Sequence, residues 1–367
     1  MVLSGGVGNY VLMNGRKYSY FGGNNYLGLA NHPEIKKAAA DSVKKYGVNF
    51  SASRRTTGTA DIHLELEKAL SDFKGKQDTA IFASGYLGNS ILLEILKDNY
   101  TSIFIDKLAH ASIIAGIPRD MDYVFFYDHC DPAHLDQLIA RHLKGSLIVV
   151  TDGVFALTGD VAPLDKIYPI IKKYNGLLVV DDAHSTGILG RTGKGTPEYF
   201  NLPDDESIYQ TETMSKALGS YGGFISGTRA LTDLIREKST TYQASTSLPP
   251  PIVAAGLASM KIIKENPGFR ISLHEKSVKL RNEITATGFK TTNNPTPIIP
   301  VLTSSKEEGM NLSAFMEEEG IIAPYMNYPS QNEAHIVRLT VSVSHSWHQI
   351  ETLLKMLRKW KKLQSKK

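Results

Sequence analysis

Three features are scarce in this sequence of 367 residues: cysteine, long apolar runs and an excess of charge of either sign. Cys130 is the single cysteine, which excludes a disulfide within the chain and favours a reducing compartment. No apolar run approaches the roughly 20 residues that a membrane-spanning helix requires. The 41 basic and 37 acidic residues leave a formal net charge of +4, which gives no basis for nucleic-acid binding. The first residues lack the basic and apolar regions of a secretory signal, so we expect a cytoplasmic protein.

Strand-like and helical segments alternate through the middle of the chain. Apolar runs predict strands at 79–82, 102–105, 123–126, 146–151, 177–181 and 207–211. Helical patterns fall between them at 63–73, 90–96, 132–142 and 163–173. This alternation predicts an α/β fold whose mostly parallel sheet carries helices on both faces. Ligands bind such sheets at the carboxyl ends of the strands.

Three prolines at 249–251 mark the end of this pattern, because proline restricts the backbone and removes a donor. A helix is predicted at 252–264, and the pattern after it becomes strand and helix in shorter pieces, including a strand at 336–342 and a helix at 348–362. We therefore predict three regions: an amino-terminal segment of residues 1–30, a large domain of residues 31–254 and a small carboxyl-terminal α/β domain of residues 255–367.

The most informative stretch contains Lys216, which stands between small hydroxyl residues and a glycine-rich exit. Asp181 follows an apolar strand further upstream. A lysine that forms a Schiff base and a carboxylate that keeps a pyridine nitrogen protonated are the two groups that pyridoxal 5′-phosphate (PLP) chemistry needs. The pair predicts a PLP enzyme, with Asp182 as a second, less favoured candidate for the nitrogen partner.

Further candidates match the other needs of a PLP site. The turn at 84–89 precedes a predicted helix, where the amides of Gly85 and Tyr86 are suited to hold a phosphate. Thr213 offers a hydroxyl. His110 is the best candidate for a ring that stacks on the cofactor, although a single histidine is more often an ordinary hydrogen-bonded residue. No set of metal ligands is predicted.

Additional motifs run from the amino-terminal to the carboxyl-terminal part of the chain: Phe21–Ala30, Gly58–His63, His110–Ile113, Thr151–Phe155, Gly159–Leu164, Asp181–Gly187, Thr213–Lys216, Ser245–Pro250 and Arg338–His345. With these motifs the sequence resembles the α-oxoamine synthases. Members of this family include 8-amino-7-oxononanoate synthase, glycine C-acetyltransferase, 5-aminolevulinate synthase and serine palmitoyltransferase. The resemblance implies a fold-type-I PLP-dependent transferase whose large domain binds the cofactor.

The resemblance also implies roles for the matching residues. Lys216 would bear the cofactor, Asp181 would pair with the ring nitrogen and His110 would stack on the ring. His184 would hydrogen-bond the phenolic oxygen, and Thr213 would hold the phosphate together with the amides around Gly85 and Tyr86.

Three more residues match positions that the family uses for subunit sharing and substrate binding. Thr246 would reach the phosphate in the other subunit, which implies a homodimer with a shared active site. Arg338 and Asn24 would bind the carboxylate of the amino acid, a task for which the guanidinium group is suited independently.

The implied reaction is a decarboxylative condensation of glycine or a small L-amino acid with an acyl-CoA or acyl-carrier thioester. It yields an α-amino ketone and releases the thiol carrier and carbon dioxide, with Lys216 as base and His110 as proton donor. The pattern favours an enzyme like 8-amino-7-oxononanoate synthase. The alternatives are glycine C-acetyltransferase, a serine palmitoyltransferase-like or secondary-metabolite synthase, a PLP aminotransferase or decarboxylase, and a cofactor-binding protein without turnover.

Two positions depart from the family. Ala156 stands where the family usually has a serine that hydrogen-bonds the cofactor, a loss of about 1 kcal/mol. Asn49-Phe50-Ser51-Ala52 replaces a segment of small, glycine-rich residues. Phe50 is therefore expected to crowd the groove for the acyl chain or its carrier, which predicts an unusual acyl donor.

Overall fold

The structure, a computed structural model, describes residues 1–326 and 334–364. The chain divides into two compact units. The large unit comprises His32–Phe155 and Val161–Asn266, and the small unit comprises Met1–Asn31, Ala156–Asp160 and Pro267–Lys367. The domain boundaries after residues 30 and 254 stay predictions.

In chain order, the strands are β1 Tyr10–Met13, β2 Arg16–Tyr20, β3 Asp78–Phe82, β4 Ser102–Asp106, β5 Tyr123–Tyr127, β6 Leu147–Asp152, β7 Leu177–Asp181, β8 Ile208–Thr213, β9 Gly223–Gly227, β10 Ile298–Thr303, β11 Ile321–Ile322, β12 Tyr325–Met326 and β13 His335–Thr340. The α-helices are α1 Pro33–Tyr46, α2 Asp61–Lys74, α3 Tyr86–Ile95, α4 Ala111–Gly116, α5 Pro132–His142, α6 Leu164–Lys173, α7 Thr196–Tyr199, α8 Arg229–Lys238, α9 Thr240–Gln243, α10 Pro250–Glu265, α11 Gly268–Ala286, α12 Lys306–Glu318 and α13 Trp347–Gln364. None of the helices in the described part of the chain is long and apolar enough to cross a membrane.

Among the described residues of the large unit, seven strands form one sheet in the order β3-β9-β8-β7-β6-β4-β5. Strands β4 to β8 pair in parallel wherever they are neighbours. Two clusters of buried apolar residues pack on the sheet, and β4 and β6 are buried along their whole length. Strands buried in this way are typical of a sheet covered on both faces by helices. The predicted α/β fold is confirmed.

The sequence did not predict β9, which is antiparallel to both β3 and β8. Glycine begins and ends this strand, and glycine is disfavoured in strands because it packs no side chain. A Cβ at Gly223 would lie 2.2 Å from Phe82 Cε2. The close approach of β9 to β3 therefore requires glycine at position 223. The same glycine weakens the strand pattern in the sequence, which is why β9 was not predicted.

Two helix starts differ from the prediction. Helix α10 begins at Pro250 rather than after the proline run. The fixed φ of proline suits the first helical turn, and the N–H that proline lacks would have no partner within the helix there. Helix α3 begins at Tyr86, four residues before the predicted start at 90, and Gly85 is its N-cap. The earlier start of α3 places its first backbone amides at the candidate phosphate turn.

The described residues of the small unit form two three-stranded sheets, β1-β2-β11 and β10-β13-β12. Strand β11 pairs in parallel with β2, with Ile321 opposite Ser19, so amino-terminal and carboxyl-terminal residues share a sheet. The segment Ala156–Asp160 belongs to this unit through contacts such as the hydrogen bond from Thr296 Oγ1 to the Gly159 carbonyl at 2.9 Å.

Candidate active site

A cavity of about 190 Å³ lies at the carboxyl edge of the sheet in the large unit. Its lining consists of Ser84, Gly85, Tyr86, His110, Ser112, Asp152, Asp181, Ala183, His184, Thr213, Ser215 and Lys216. Strands β6, β7 and β8 are parallel neighbours, so the residues at their carboxyl ends meet at one edge. The cavity therefore brings together every predicted site residue of the large unit except Thr246 and the less favoured candidate Asp182.

Both oxygens of the Asp181 carboxylate are held by protein donors. Oδ2 accepts a hydrogen bond from Asn89 Nδ2 at 2.7 Å, and Oδ1 accepts one from the Ala183 amide at 3.1 Å. Asp181 is only 6% exposed. These contacts fix the carboxylate at the cavity wall while leaving lone pairs for a further donor.

Asn89 was missed by the sequence analysis. It is completely buried in α3, where its amide also donates to Ser112 Oγ at 2.9 Å and its carbonyl accepts from Thr211 Oγ1 at 2.9 Å. Ser112 Oγ in turn lies 2.8 Å from His110 Nδ1. A continuous chain of hydrogen bonds thus joins Asp181 to His110. The only signal in the sequence is an amide among apolar residues in this helix.

The contacts of His110 assign its tautomer. The Ser112 amide donates to His110 Nδ1 at 3.2 Å, so Nδ1 accepts and Nε2 carries the proton in the neutral ring. Burial lowers the pKa of His110, the charge of Asp181 raises it less, and the charge of Lys216 lowers it. A neutral imidazole with an Nε2–H donor therefore lines the cavity.

Asp152 is a second carboxyl group at the cavity that the sequence analysis did not select. It ends β6, is 3% exposed and accepts a hydrogen bond from the His110 backbone amide at 2.8 Å. Burial raises the pKa of Asp152 well above its usual range, and the charge of Asp181 raises it further. Both effects favour the protonated form of Asp152.

Asp182, the other candidate for the nitrogen partner, does not line the cavity. Its side chain is fully buried and accepts hydrogen bonds from the Thr196 amide at 3.0 Å, from Thr196 Oγ1 at 2.6 Å and from Ser185 and Gln210. Consecutive residues at a strand end point in opposite directions, so only one of the two aspartates faces the ligand.

The predicted phosphate turn lies where α3 begins. A Cβ at Gly85 would be 2.6 Å from Thr213 Cβ, so only glycine allows the helix start to approach this strand end. Ser84 Oγ accepts from the Tyr86 amide at 3.3 Å, and Thr213 Oγ1 lies 2.8 Å from Ser215 Oγ. Amides at a helix start beside several hydroxyl groups fit a bound phosphate, and the residues present therefore fit PLP.

Thr246 lies outside the cavity. It is exposed and forms an isolated antiparallel bridge with Ser53.

Asn24 and Arg338 belong to the small unit, where Arg338 Nη2 donates to Asn24 Oδ1 at 2.9 Å. The Arg338 side chain also donates from Nε to the Ala156 carbonyl at 2.6 Å and from Nη1 to Thr340 Oγ1 at 3.0 Å. Ala156 therefore contributes its backbone carbonyl as an acceptor for Arg338, although its side chain lacks the hydroxyl of the serine that is usual in the family.

Residues 17–357 match the family described as aminotransferase class I and II. An 8-amino-7-oxononanoate synthase of Lysinibacillus sphaericus is 36% identical over 352 residues, which cover 95% of this chain and 90% of the relative. A protein of Acetivibrio thermocellus, provisionally named as the same synthase, is 41% identical over 351 residues, 95% of this chain and 90% of the relative. A structure of serine palmitoyltransferase with a PLP internal aldimine has a TM-score of 0.89 and 26% identity, covering 96% of this chain and 89% of that chain.

The fold and these similarities define a fold-type-I PLP-dependent transferase. The chain belongs to the aminotransferase class I and II family, and its relatives confirm the resemblance to the α-oxoamine synthases.

Proposed function

We propose that this chain is a PLP-dependent acyltransferase that forms 8-amino-7-oxononanoate. The observation that carries the proposal is the cavity in which Lys216, Asp181 and His110 meet at the carboxyl edge of the sheet. The relatives named as this synthase match nearly the whole chain at 36% and 41% identity, which supports the choice of product.

The structure of the product defines the substrates. Carbon 8 carries the amino group and carbon 9 is a methyl group, and together they are what remains of alanine after its carboxylate leaves as carbon dioxide. Carbons 1 to 7 form a dicarboxylic acyl chain whose C7 carbonyl becomes the ketone. The substrates proposed here are therefore alanine and the thioester of a seven-carbon dicarboxylic acid, carried on coenzyme A or on an acyl carrier protein.

PLP, when bound, supplies an aldehyde for the amine and a protonated ring that withdraws electrons from the α-carbon. Lys216 would hold the aldehyde carbon until alanine arrives, and its released amine would then take the α-proton. Asp181 would accept the ring N–H, since Asn89 and the Ala183 amide hold the carboxylate in place. Burial, which raises the pKa of Asp152, would reduce the charge that this second carboxyl group adds beside Asp181.

His110 would offer the flat face of a neutral ring to the cofactor and its Nε2–H to the thioester oxygen. A charged imidazolium would repel a protonated cofactor ring and disfavour its proton, so the lowered pKa of His110 suits this role. His184 would donate to the phenolic oxygen, and the amides near Gly85 and Tyr86, with Thr213, would hold the phosphate.

Arg338 and Asn24 would bind the alanine carboxylate. The guanidinium has five N–H groups, and its contacts with Ala156, Thr340 and Asn24 use one each on Nε, Nη1 and Nη2. The Tyr26 hydroxyl is a further side-chain partner of Arg338, so these contacts hold in place a planar guanidinium of the kind that suits a carboxylate.

The proposal includes a cytoplasmic homodimer. Thr246 is exposed in one chain and does not line its own cavity, as expected of a residue that acts in the partner subunit. Size-exclusion chromatography with light scattering would test the dimer. Mixing a Lys216→Ala chain with a Thr246→Ala chain would restore activity only if sites are shared.

The reaction itself is tested with purified protein supplied with PLP. Alanine, glycine and serine are each combined with the seven-carbon dicarboxylic acyl-CoA, acetyl-CoA and a long-chain acyl-CoA, and products are identified by mass. Formation of 8-amino-7-oxononanoate with release of carbon dioxide is expected. A product from serine and the long-chain donor would instead support the serine palmitoyltransferase-like alternative, whose namesake is a structural neighbour of this chain.

A panel with no condensation product but with transfer of the amino group to a keto acid would contradict the proposal. Lys216→Ala is the control for the site, because it removes the amine without changing the rest of the lining.

A further inference from the structure

The turn at 182–186 brings His184 to the cavity lining. The Ser185 and Thr186 amides donate to the Asp182 carbonyl at 3.0 and 2.9 Å, as in a single helical turn. His184 is 5% exposed and lies in the middle of this turn. The contacts at the two ends of the turn therefore set where the imidazole lies.

The first end of the turn is held at Asp182. Its backbone amide donates to the Thr211 carbonyl in β8 at 2.8 Å. Its carboxylate accepts from Thr196 and Gln210, both outside the turn. This end is thus bound to the sheet and to the start of α7.

The far end of the turn is held at Thr186, which is 2% exposed and donates from its hydroxyl to Glu212 Oε1 at 3.1 Å. Glu212 is 1% exposed and precedes Thr213 in β8. Side chains alternate along a strand, so Glu212 points to the opposite side of the sheet from Thr213, which lines the cavity. Glu212 therefore contacts the turn from outside the cavity lining.

Lys74, the last residue of α2, holds Glu212 in place. The two side chains form an ion pair and are 1% and 0% exposed. Lys74 also donates to the Lys194 carbonyl, which accepts from Gln210 Nε2 at 3.1 Å. Since Gln210 donates to Asp182 as well, the contacts from the two ends of the turn meet in one closed network.

This network contributes fixed positions more than stability. Burial raises the pKa of Asp182 and of Glu212, and the charge of Lys74 lowers both. In a buried ion pair the loss of hydration offsets much of the attraction, so such a pair adds little net stability. The two carboxyl groups instead accept from donors on the turn itself, Ser185 and Thr186, which fixes its backbone.

We propose that Thr186 is a positioning residue for His184, held in place by Glu212 and Lys74. The inference rests on the proposed function, in which His184 donates to the phenolic oxygen of PLP. Without the Thr186 hydroxyl, the far end of the turn loses its bond to the buried carboxyl group, and the imidazole is held less firmly at that oxygen. A hydrogen bond to an ionised oxygen lowers its pKa, so bound PLP itself reports the loss.

The test follows the visible absorbance of the PLP-loaded protein against pH, without substrates. Thr186→Val removes the hydroxyl and keeps the size of the side chain. We expect the pH midpoint of the absorbance change to rise by about one unit. We also expect kcat to fall about tenfold with an unchanged KM for alanine, because the turn does not bind the amino acid. Thr186→Ser keeps the hydroxyl and is expected to match the unsubstituted protein.

Thr232→Val is the matched control. Thr232 is fully buried in α8 and donates to Asp78 Oδ2 at 2.9 Å, away from the cavity lining. This variant removes the same kind of bond, from a buried hydroxyl to a carboxylate. It is expected to lower the urea midpoint, as Thr186→Val does, and to leave the pH midpoint of the absorbance unchanged.

An unchanged pH midpoint in Thr186→Val would overturn the proposal, and so would an equal shift in Thr186→Ser or in Thr232→Val. Should Thr186→Val fail to fold, Thr186→Ala gives the same reading, because it removes the hydroxyl without placing an apolar methyl group against the Glu212 carboxyl group. The absorbance is read without substrates, so a failure to form 8-amino-7-oxononanoate would count against the proposed function and leave the comparison of midpoints valid.

Discussion

Replacing Asn89 with alanine removes the amide that joins Asp181 to Ser112 and Thr211. The bond to the Asp181 carboxylate is worth about 1.5–3 kcal/mol, because one partner is charged, and the two neutral contacts are worth about 1 kcal/mol each. If the energy of the bond to Asp181 acts on the reaction barrier through the cofactor, its loss lowers kcat roughly 10- to 100-fold. Each 1.4 kcal/mol corresponds to about a factor of ten.

The assay compares kcat, PLP affinity by absorbance titration and urea unfolding for the unsubstituted protein and for Asn89→Ala. Ser112→Ala is the matched control, because it breaks the link to His110 but leaves the bond to Asp181 in place. We expect a smaller loss of kcat in Ser112→Ala. In an Asp181→Asn background, Asn89→Ala should cost less than it does alone, because Asn89 acts through the Asp181 carboxylate.

Two outcomes would contradict this role of Asn89. A kcat and a PLP affinity within twofold of the unsubstituted protein would show that Asn89 does not position Asp181. Equal losses in both Asp181 backgrounds would show that Asn89 supports the fold without acting through the carboxylate.

Four further predictions test the site and its surroundings. Lys216→Ala should abolish turnover, and retained activity would contradict the assignment. Arg338→Ala should weaken amino-acid binding by about 2 kcal/mol, which raises the KM for the amino acid near 30-fold with PLP still bound. An unchanged KM would show that another residue binds the carboxylate. Phe50→Gly should broaden the range of acyl donors, measured as kcat/KM against chain length, and an identical profile would remove support for a crowded groove. Burial outweighs the Lys74 contact and raises the pKa of Glu212 from 4.5 to about 7, so the native state keeps a proton that the unfolded chain has lost. Stability should therefore fall between these pH values by up to about 1.4 kcal/mol per unit, and urea midpoints should show a shallower fall in Glu212→Gln than in the unsubstituted protein.

The sequence pattern predicted the strands of the large unit well, because apolar runs mark strands that are buried on both faces. Strand β7 matches its prediction at both ends, and β4 and β5 differ by one residue at the carboxyl end. Strand β9 was not predicted, because the glycines that its close packing requires interrupt the run of apolar side chains that marks a buried strand. The start of α3 was missed for a similar reason, since its N-cap is a glycine without a side-chain cap.

The order of residues along the chain is enough to predict which chemical groups gather at the cavity. Lys216, Asp181 and His110 follow or adjoin strand ends, and the parallel arrangement carries such residues to the same edge of the sheet. The directions of these side chains and the contacts that hold them follow only from the folded chain. Asp181 faces the cavity and Asp182 does not, and Asn89, which holds Asp181, lies 92 residues away in the chain. Hydrogen bonds depend on side-chain direction and on distances of a few ångström, and no spacing along the chain records these for partners that only folding brings together.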